Sequence, residues 1–153
     1  MDLEILKSNT NINRIVDEIA NRYRSKLLPH RARGNLADFT WRIETPVNQF
    51  IVYFDLESYW WYLENGRAPG KRPPMDAIEN WINVKPLIPD ARTGKVLTTK
   101  QLAFLISRSI GEKGTQGHHL LKSTLDESDD LITAIKQEIV KEITKFIEEA
   151  YYA

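Results

Sequence analysis

Cysteine is missing from all 153 residues, which excludes disulfides and thiolate metal sites. Its absence fits a reducing cytoplasm, the compartment expected for synthesis of this chain. Long apolar runs are missing too. None approaches the ~20 residues of a membrane-spanning helix. The opening Met1-Asp2-Leu3-Glu4-Ile5-Leu6-Lys7 has no apolar segment of signal-peptide length, so no membrane association is expected. Net charge is also absent: 21 Lys and Arg balance 21 Asp and Glu. A global electrostatic pull toward nucleic acid or anionic lipid is thereby removed. Repeats and low-complexity stretches do not occur. Catalytic signatures are equally scarce. There is no HExxH, and Ser107 and Ser109 lack a G-x-S-x-G elbow. Glu57 and Glu64 stand seven residues apart and can share a helix face, but that spacing is also common on plain helix surfaces. His118 and His119 are adjacent, diverge by about 100° on a helix and do not chelate one metal from one face. The third histidine, His30, is remote in sequence. No catalytic residue, metal or cofactor is expected.

The remaining content is that of an ordinary globular protein, 42% apolar and 27% charged, long enough to bury a core and read here as one domain over 1–153. Its neutrality hides signed blocks. Residues 1–34 carry +3, residues 35–65 carry −4, residues 66–122 carry +6 and residues 123–153 carry −5. Such blocks either pair within the fold, lie on solvated faces, or present opposite charges to sister copies.

Ile12, Ile15, Val16, Ile19, Tyr23 and Leu27 recur at the spacing of one helical face, with Asn11 or Asn13 as cap and Leu28-Pro29 as the stop. A basic loop follows at 29–34. Phe39, Trp41 and Ile43 alternate with polar residues, and Phe50 to Phe54 is β-branched and aromatic. Pro46-Val47-Asn48 joins the two as a hairpin. A short helix capped by Asp55 or Ser58 is predicted over Tyr59 to Glu64, with a strand as the alternative, ended by Asn65-Gly66. On a helix these aromatics point all round, so some are core and others are left exposed or at an interface. Gly66 to Pro74 is a basic loop stiffened by prolines. Pro74 opens a helix to Val84 with Ile78, Trp81 and Ile82 inward. After a loop over Lys85 to Val96, Thr98 and Gln101 form a capping box. The helix they open has Leu102, Leu105, Ile106 and Ile110 inward and stops at Gly114. Gly114 to Gly117 is a turn, and His118 to Leu125 a further short helix. Ser128 or Asp129 begins the last helix, with Leu131, Ile132, Ile135, Ile139, Val140, Ile143, Phe146 and Ile147 as its stripe, and Tyr151 and Tyr152 are expected to fray. The predicted fold is α+β: a small antiparallel sheet packed against two long terminal helices, with short helices in the central region.

The order Tyr59-x-x-Tyr62-Leu63-Glu64-x-Gly66-Arg67-x-Pro69-Gly70-Lys71-x-Pro73-Pro74, then Ile78-x-x-Trp81-Ile82, then Leu102-Ala103-Phe104-x-Ile106-x-Arg108-x-Ile110-x-x-Lys113-Gly114-Thr115 resembles the tail-completion, or head-tail connector, proteins of tailed bacteriophages. The resemblance covers residues 55–125. Leu120-Leu121 and Lys85-Pro86 depart from the family pattern. The resemblance implies a non-enzymatic virion protein that forms a ring at the neck, between portal or connector and tail, through which DNA passes. It implies no cofactor and partners that are sister copies, portal and tail proteins. The residues expected at subunit or partner interfaces are Tyr59, Trp60, Arg67, Lys71, Arg72, His118 and His119. The alternative is a nucleic-acid-binding module using the basic loops 29–34 and 66–72, whose cations would contact phosphates.

Overall fold

A computed structural model describes residues 3–30, 36–57, 60–83 and 92–153, with the backbone alone for Trp81. The architecture is α+β. The elements are α1 (Glu4–Lys7), α2 (Thr10–Leu27), β1 (Thr40–Glu44), β2 (Ile51–Asp55), α3 (Trp60–Asn65), β3 (Gly66–Arg67), α4 (Met75–Ile82), α5 (Thr99–Lys113), β4 (Thr115–Gln116), α6 (Leu120–Asp126) and α7 (Asp129–Tyr152). No helix among the described residues is long and apolar enough to cross a membrane. The elements group into two compact units. One contains residues 1–29, 37–57 and 120–153, and the other residues 30–36 and 58–119.

The first unit is built on α2 and α7 with the β1–β2 hairpin. Helix α2 buries the predicted face of Ile12, Ile15, Val16, Ile19, Tyr23 and Leu27. Its cap is Asn9, not Asn11 or Asn13. The Asn9 side-chain oxygen accepts the Ile12 N–H at 3.0 Å. The other two are engaged elsewhere, Asn13 donating to the Lys7 carbonyl and Asn11 to Glu138. Asn9 can take the position because its backbone is extended, which breaks α1 from α2. The chain leaves α2 through a single 3-10 turn, Leu28–His30, as Pro29 dictates. The hairpin is antiparallel and pairs Thr40 with Asp55 through to Glu44 with Ile51. Its inward residues join Leu6, α2 and Ile135 of α7 in one apolar core. Tyr23, Phe39 and Phe54 close one side of it with ring centroids 5.1 to 6.2 Å apart.

Two cations of α2 fasten the corner between α6 and α7. Arg22 donates to the Glu127 carbonyl at 3.1 Å and pairs with Glu18. Lys26 meets Glu127 and the Ser123 hydroxyl, each at 2.8 Å. Ser128, the residue between these helices, is wholly buried. Helix α7 then runs 24 residues, so Tyr151 and Tyr152 lie inside it and are not frayed. Its apolar stripe is covered only part of the way. Ile135 is 8% exposed, whereas Val140 is 61% and Ile147 59% exposed.

The second unit holds the short elements. The aromatic segment is helical from Trp60, so the strand alternative is not adopted, and Tyr59 lies outside the described residues. Thr98 and Gln101 form the predicted capping box, each side chain bonding the other's backbone N–H, at 3.2 and 3.0 Å. Replacing Thr98 by Ala is expected to lower stability by about 1 kcal/mol, read from urea unfolding. The buried face of α5 keeps Leu102, Ile106 and Ile110 half-buried, as the sequence predicts, and departs from it at Leu105. It centres on Ala103 and Ser107, while Leu105 is 47% exposed. Small residues let α4 approach closely, and the Ser107 hydroxyl donates to the Pro73 carbonyl at 3.0 Å. That approach turns Leu105 outward. The Gly66 loop and the Gly114 turn also differ from expectation. They are the two strands of a small antiparallel ladder, Gly66 opposite Gln116 and Arg67 opposite Thr115.

Candidate functional site

Helix α3, the loop after it and the end of α5 interlock in the second unit. Gly66 and Gly114 both have positive φ, 74° and 72°. A β-carbon on Gly66 would overlap the Thr115 carbonyl, and one on Gly114 would overlap the Arg67 carbonyl. Gly117 sits as tightly against the Glu64 and Asn65 backbone. The Gly70 N–H donates to the Gly111 carbonyl at 2.8 Å. The two Gly-rich segments therefore meet each other, and Gly66, Gly114 and Gly117 are the positions where backbone packs on backbone.

Side chains follow from that frame. Arg67 is half-buried, and its guanidinium lies 5.6 Å over the Tyr62 ring and donates to the Lys71 carbonyl at 2.8 Å. Arg72 is exposed and lies 5.7 Å over the Phe104 ring. These distances are within cation–π reach. Tyr62 and Phe104 thus stand at the two ends of a strip whose middle is the three cations Arg67, Lys71 and Arg72, each ring covered by one arginine. Tyr62 is 51%, Trp61 56% and Phe104 48% exposed. Trp60 is half-buried and meets Trp61 edge-on at 5.6 Å. Beside the strip Arg108 donates to Glu112 at 2.7 Å. That hydrogen bond, then the charges of Arg108, Arg72 and Lys113, holds the Glu112 carboxyl below its ordinary range. The carboxylate therefore stays charged to lower pH than a free glutamate, and its pairing is lost only on stronger acidification.

His118 and His119 lie before α6, not within a helix. Their backbone N–H groups donate to the Leu63 and Glu64 carbonyls at 2.9 and 3.1 Å, which pulls both residues out of helical geometry. His119 accordingly has φ 51°. The His118 ring packs on His30 at 4.5 Å, a meeting that sequence distance concealed. Among the described residues no group of three or more His, Cys, Asp or Glu could hold a metal. Glu57 precedes the described start of α3 at Trp60, so the expected carboxylate pair does not share that helix. Ser107 is 2% exposed and engaged with Pro73.

Of the seven expected interface residues, Arg67, Lys71 and Arg72 lie in the strip, Trp60 meets Trp61 on α3, and His118 and His119 bond the backbone of that helix. Tyr59, like residues 31–34 of the first basic loop, is outside the described residues. Sequence reasoning left open which aromatics of α3 are exposed and did not name Phe104. The signal for Phe104 was the placement of small Ala103 and Ser107, which marks the packed side of α5 and so the open one. Compared with protein-family models, curated proteins and solved structures, the chain matches none of them.

Proposed function

We propose that this chain is a non-enzymatic structural component of a tailed-phage virion, a neck or tail-completion protein that forms a ring between portal or connector and tail. The observation that carries this reading is the strip from Tyr62 to Phe104, large rings exposed beside Arg67, Lys71 and Arg72 on a frame locked by backbone contacts. Aromatic and arginine side chains are the usual anchors of protein interfaces. A frame that is already ordered loses little entropy on docking. The partners are sister copies, the portal or connector and tail proteins. The chain is made in the host cytoplasm and resides in the virion, where the ring lets DNA pass.

Imaging of the purified protein with a candidate portal is expected to show rings seated on it. Reversing Arg67, Lys71 and Arg72 together to Glu is expected to reduce ring occupancy roughly tenfold or more. A monomer in solution without the portal is compatible with template-dependent assembly. Wild-type protein that forms no ring alone and none on any portal overturns the reading.

The placement of Arg67, Lys71 and Arg72 between Tyr62 and Phe104 also favours a second reading, single-stranded nucleic acid with bases stacked on the rings. Affinity for a labelled oligonucleotide that is tight at low salt and falls steeply with added salt would favour it, because phosphate contacts release counterions. No binding at low salt removes it.

A further inference from the structure

We propose that the C-terminal half of α7 docks on the Tyr62–Phe104 strip of a neighbouring copy. This names the two halves of one contact and rests on the reading above that sister copies form a ring. The core contacts of α7 end at Ile139, and the Asn9 bond to Glu142 at 3.0 Å is its last hydrogen bond to another element among the described residues. Beyond it the helix continues with its apolar side open. Val140, Ile143, Ile147 and Tyr151 follow one another at helical spacing, with Phe146 alongside. Ile147 is 59%, Phe146 47% and Tyr151 81% exposed. The packed first half of α7 already nucleates the helix, so what this stretch gains from a partner is cover for its apolar side chains.

Charge favours one partner. From Val140 on the helix carries Glu142, Glu148 and Glu149 against Lys141 and Lys145, with Lys145 paired to Glu149 at 3.9 Å, and after Lys145 its only charges are acidic. The strip carries Arg67, Lys71 and Arg72 beside exposed rings. The helix end is apolar and weakly acidic, the strip aromatic and basic. Four or five large side chains on each side, mostly about half exposed and so offering roughly 100 Å² apiece, give about 400–500 Å² per partner, the centre of a contact that neighbouring surface would extend toward the ~800 Å² of a stable interface. Pairing α7 with α7 would close at a dimer and leave the basic strip open. Pairing α7 with the strip covers both and propagates from copy to copy, as a ring requires.

The absence of cysteine makes a clean test. Phe104→Cys and Ile147→Cys chains, each carrying one thiol at an exposed position, are mixed in equal amounts at millimolar concentration and oxidised. Random collision gives mixed disulfide about twice as often as either homodisulfide. The expected excess is about fivefold or more, falling to the random ratio when Arg67, Lys71 and Arg72 of the Phe104→Cys chain are changed to Glu. Tyr62→Cys with Tyr151→Cys provides a second pair should one variant misfold. A random ratio in both pairs, a dominant 147–147 product or no disulfide at all overturns the proposal. So does a Phe104→Cys/Ile147→Cys double variant that closes within one chain. Rings on the portal together with a random ratio would sink this pairing and leave the neck reading standing. Enriched mixed disulfide with no portal recruitment would do the reverse.

Discussion

Gly114→Ala and Gly66→Ala are each expected to destabilise the second unit by more than about 3 kcal/mol, whereas Gly94→Ala should lose only about 1 kcal/mol. All three residues have similar positive φ, 72°, 74° and 66°, so each substitution carries a conformational penalty, and at Gly114 a ψ of −166° adds to it because that combination is essentially confined to glycine. The surroundings differ. A β-carbon at Gly94 meets nothing within 4 Å. At Gly114 it meets the Arg67 carbonyl and, at 3.0 Å, the Pro69 nitrogen; at Gly66 it meets the Thr115 carbonyl and, at 2.6 Å, the Gly117 nitrogen. These are backbone atoms and cannot swing away as a side-chain tip does. Accommodating a methyl means opening the β3–β4 ladder, which also frees the loop that presents Arg67 and Arg72. Urea unfolding monitored by tryptophan fluorescence measures the three variants side by side. Equal losses at all three positions would show that the ladder is not the constraint.

Truncating Ile135 to Ala should lower the stability of the first unit by about 2–4 kcal/mol, and truncating Ile147 by less than about 0.5 kcal/mol. Residue type and helix are the same in both cases. Only cover differs, Ile135 being 8% and Ile147 59% exposed. Ile135 belongs to the core with Ile12, Ile15, Val16, Ile19 and Ile43, where a missing side chain leaves a cavity. Ile147 leaves none. Denaturation by urea of the dilute protein gives both values. If head-to-tail contact occurs, Ile147→Ala becomes costly only at concentrations where copies associate, because the stripe is then buried. A large loss at Ile147 in the dilute protein would mean that its own fold covers the stripe.

Legibility divided along a physical line. The α2 face was readable residue by residue because burial there is one-sided and periodic. The hairpin was readable because Trp41 and Ile43 alternate against Thr40 and Arg42 and Pro46 marks the turn. The Thr98 capping box needs only four consecutive residues. By contrast, Leu105 looks as apolar as its neighbours, and only α4 packing on Ala103 and Ser107 turns it outward. The Gly66 and Gly114 segments look like separate turns, yet they form one ladder. His30 and His118 look unrelated, yet their rings touch.

Local order and periodicity along the chain were therefore enough to set the long helices, the hairpin, the Thr98 capping box and the α+β class, since each depends on neighbours a few residues away. Which apolar faces stay open, which loops lock together and where the cations gather were settled only by folding. Contacts such as Gly66 with Gln116 join positions with no periodic relation, and whether a stripe like that of α7 is covered depends on what packs against it.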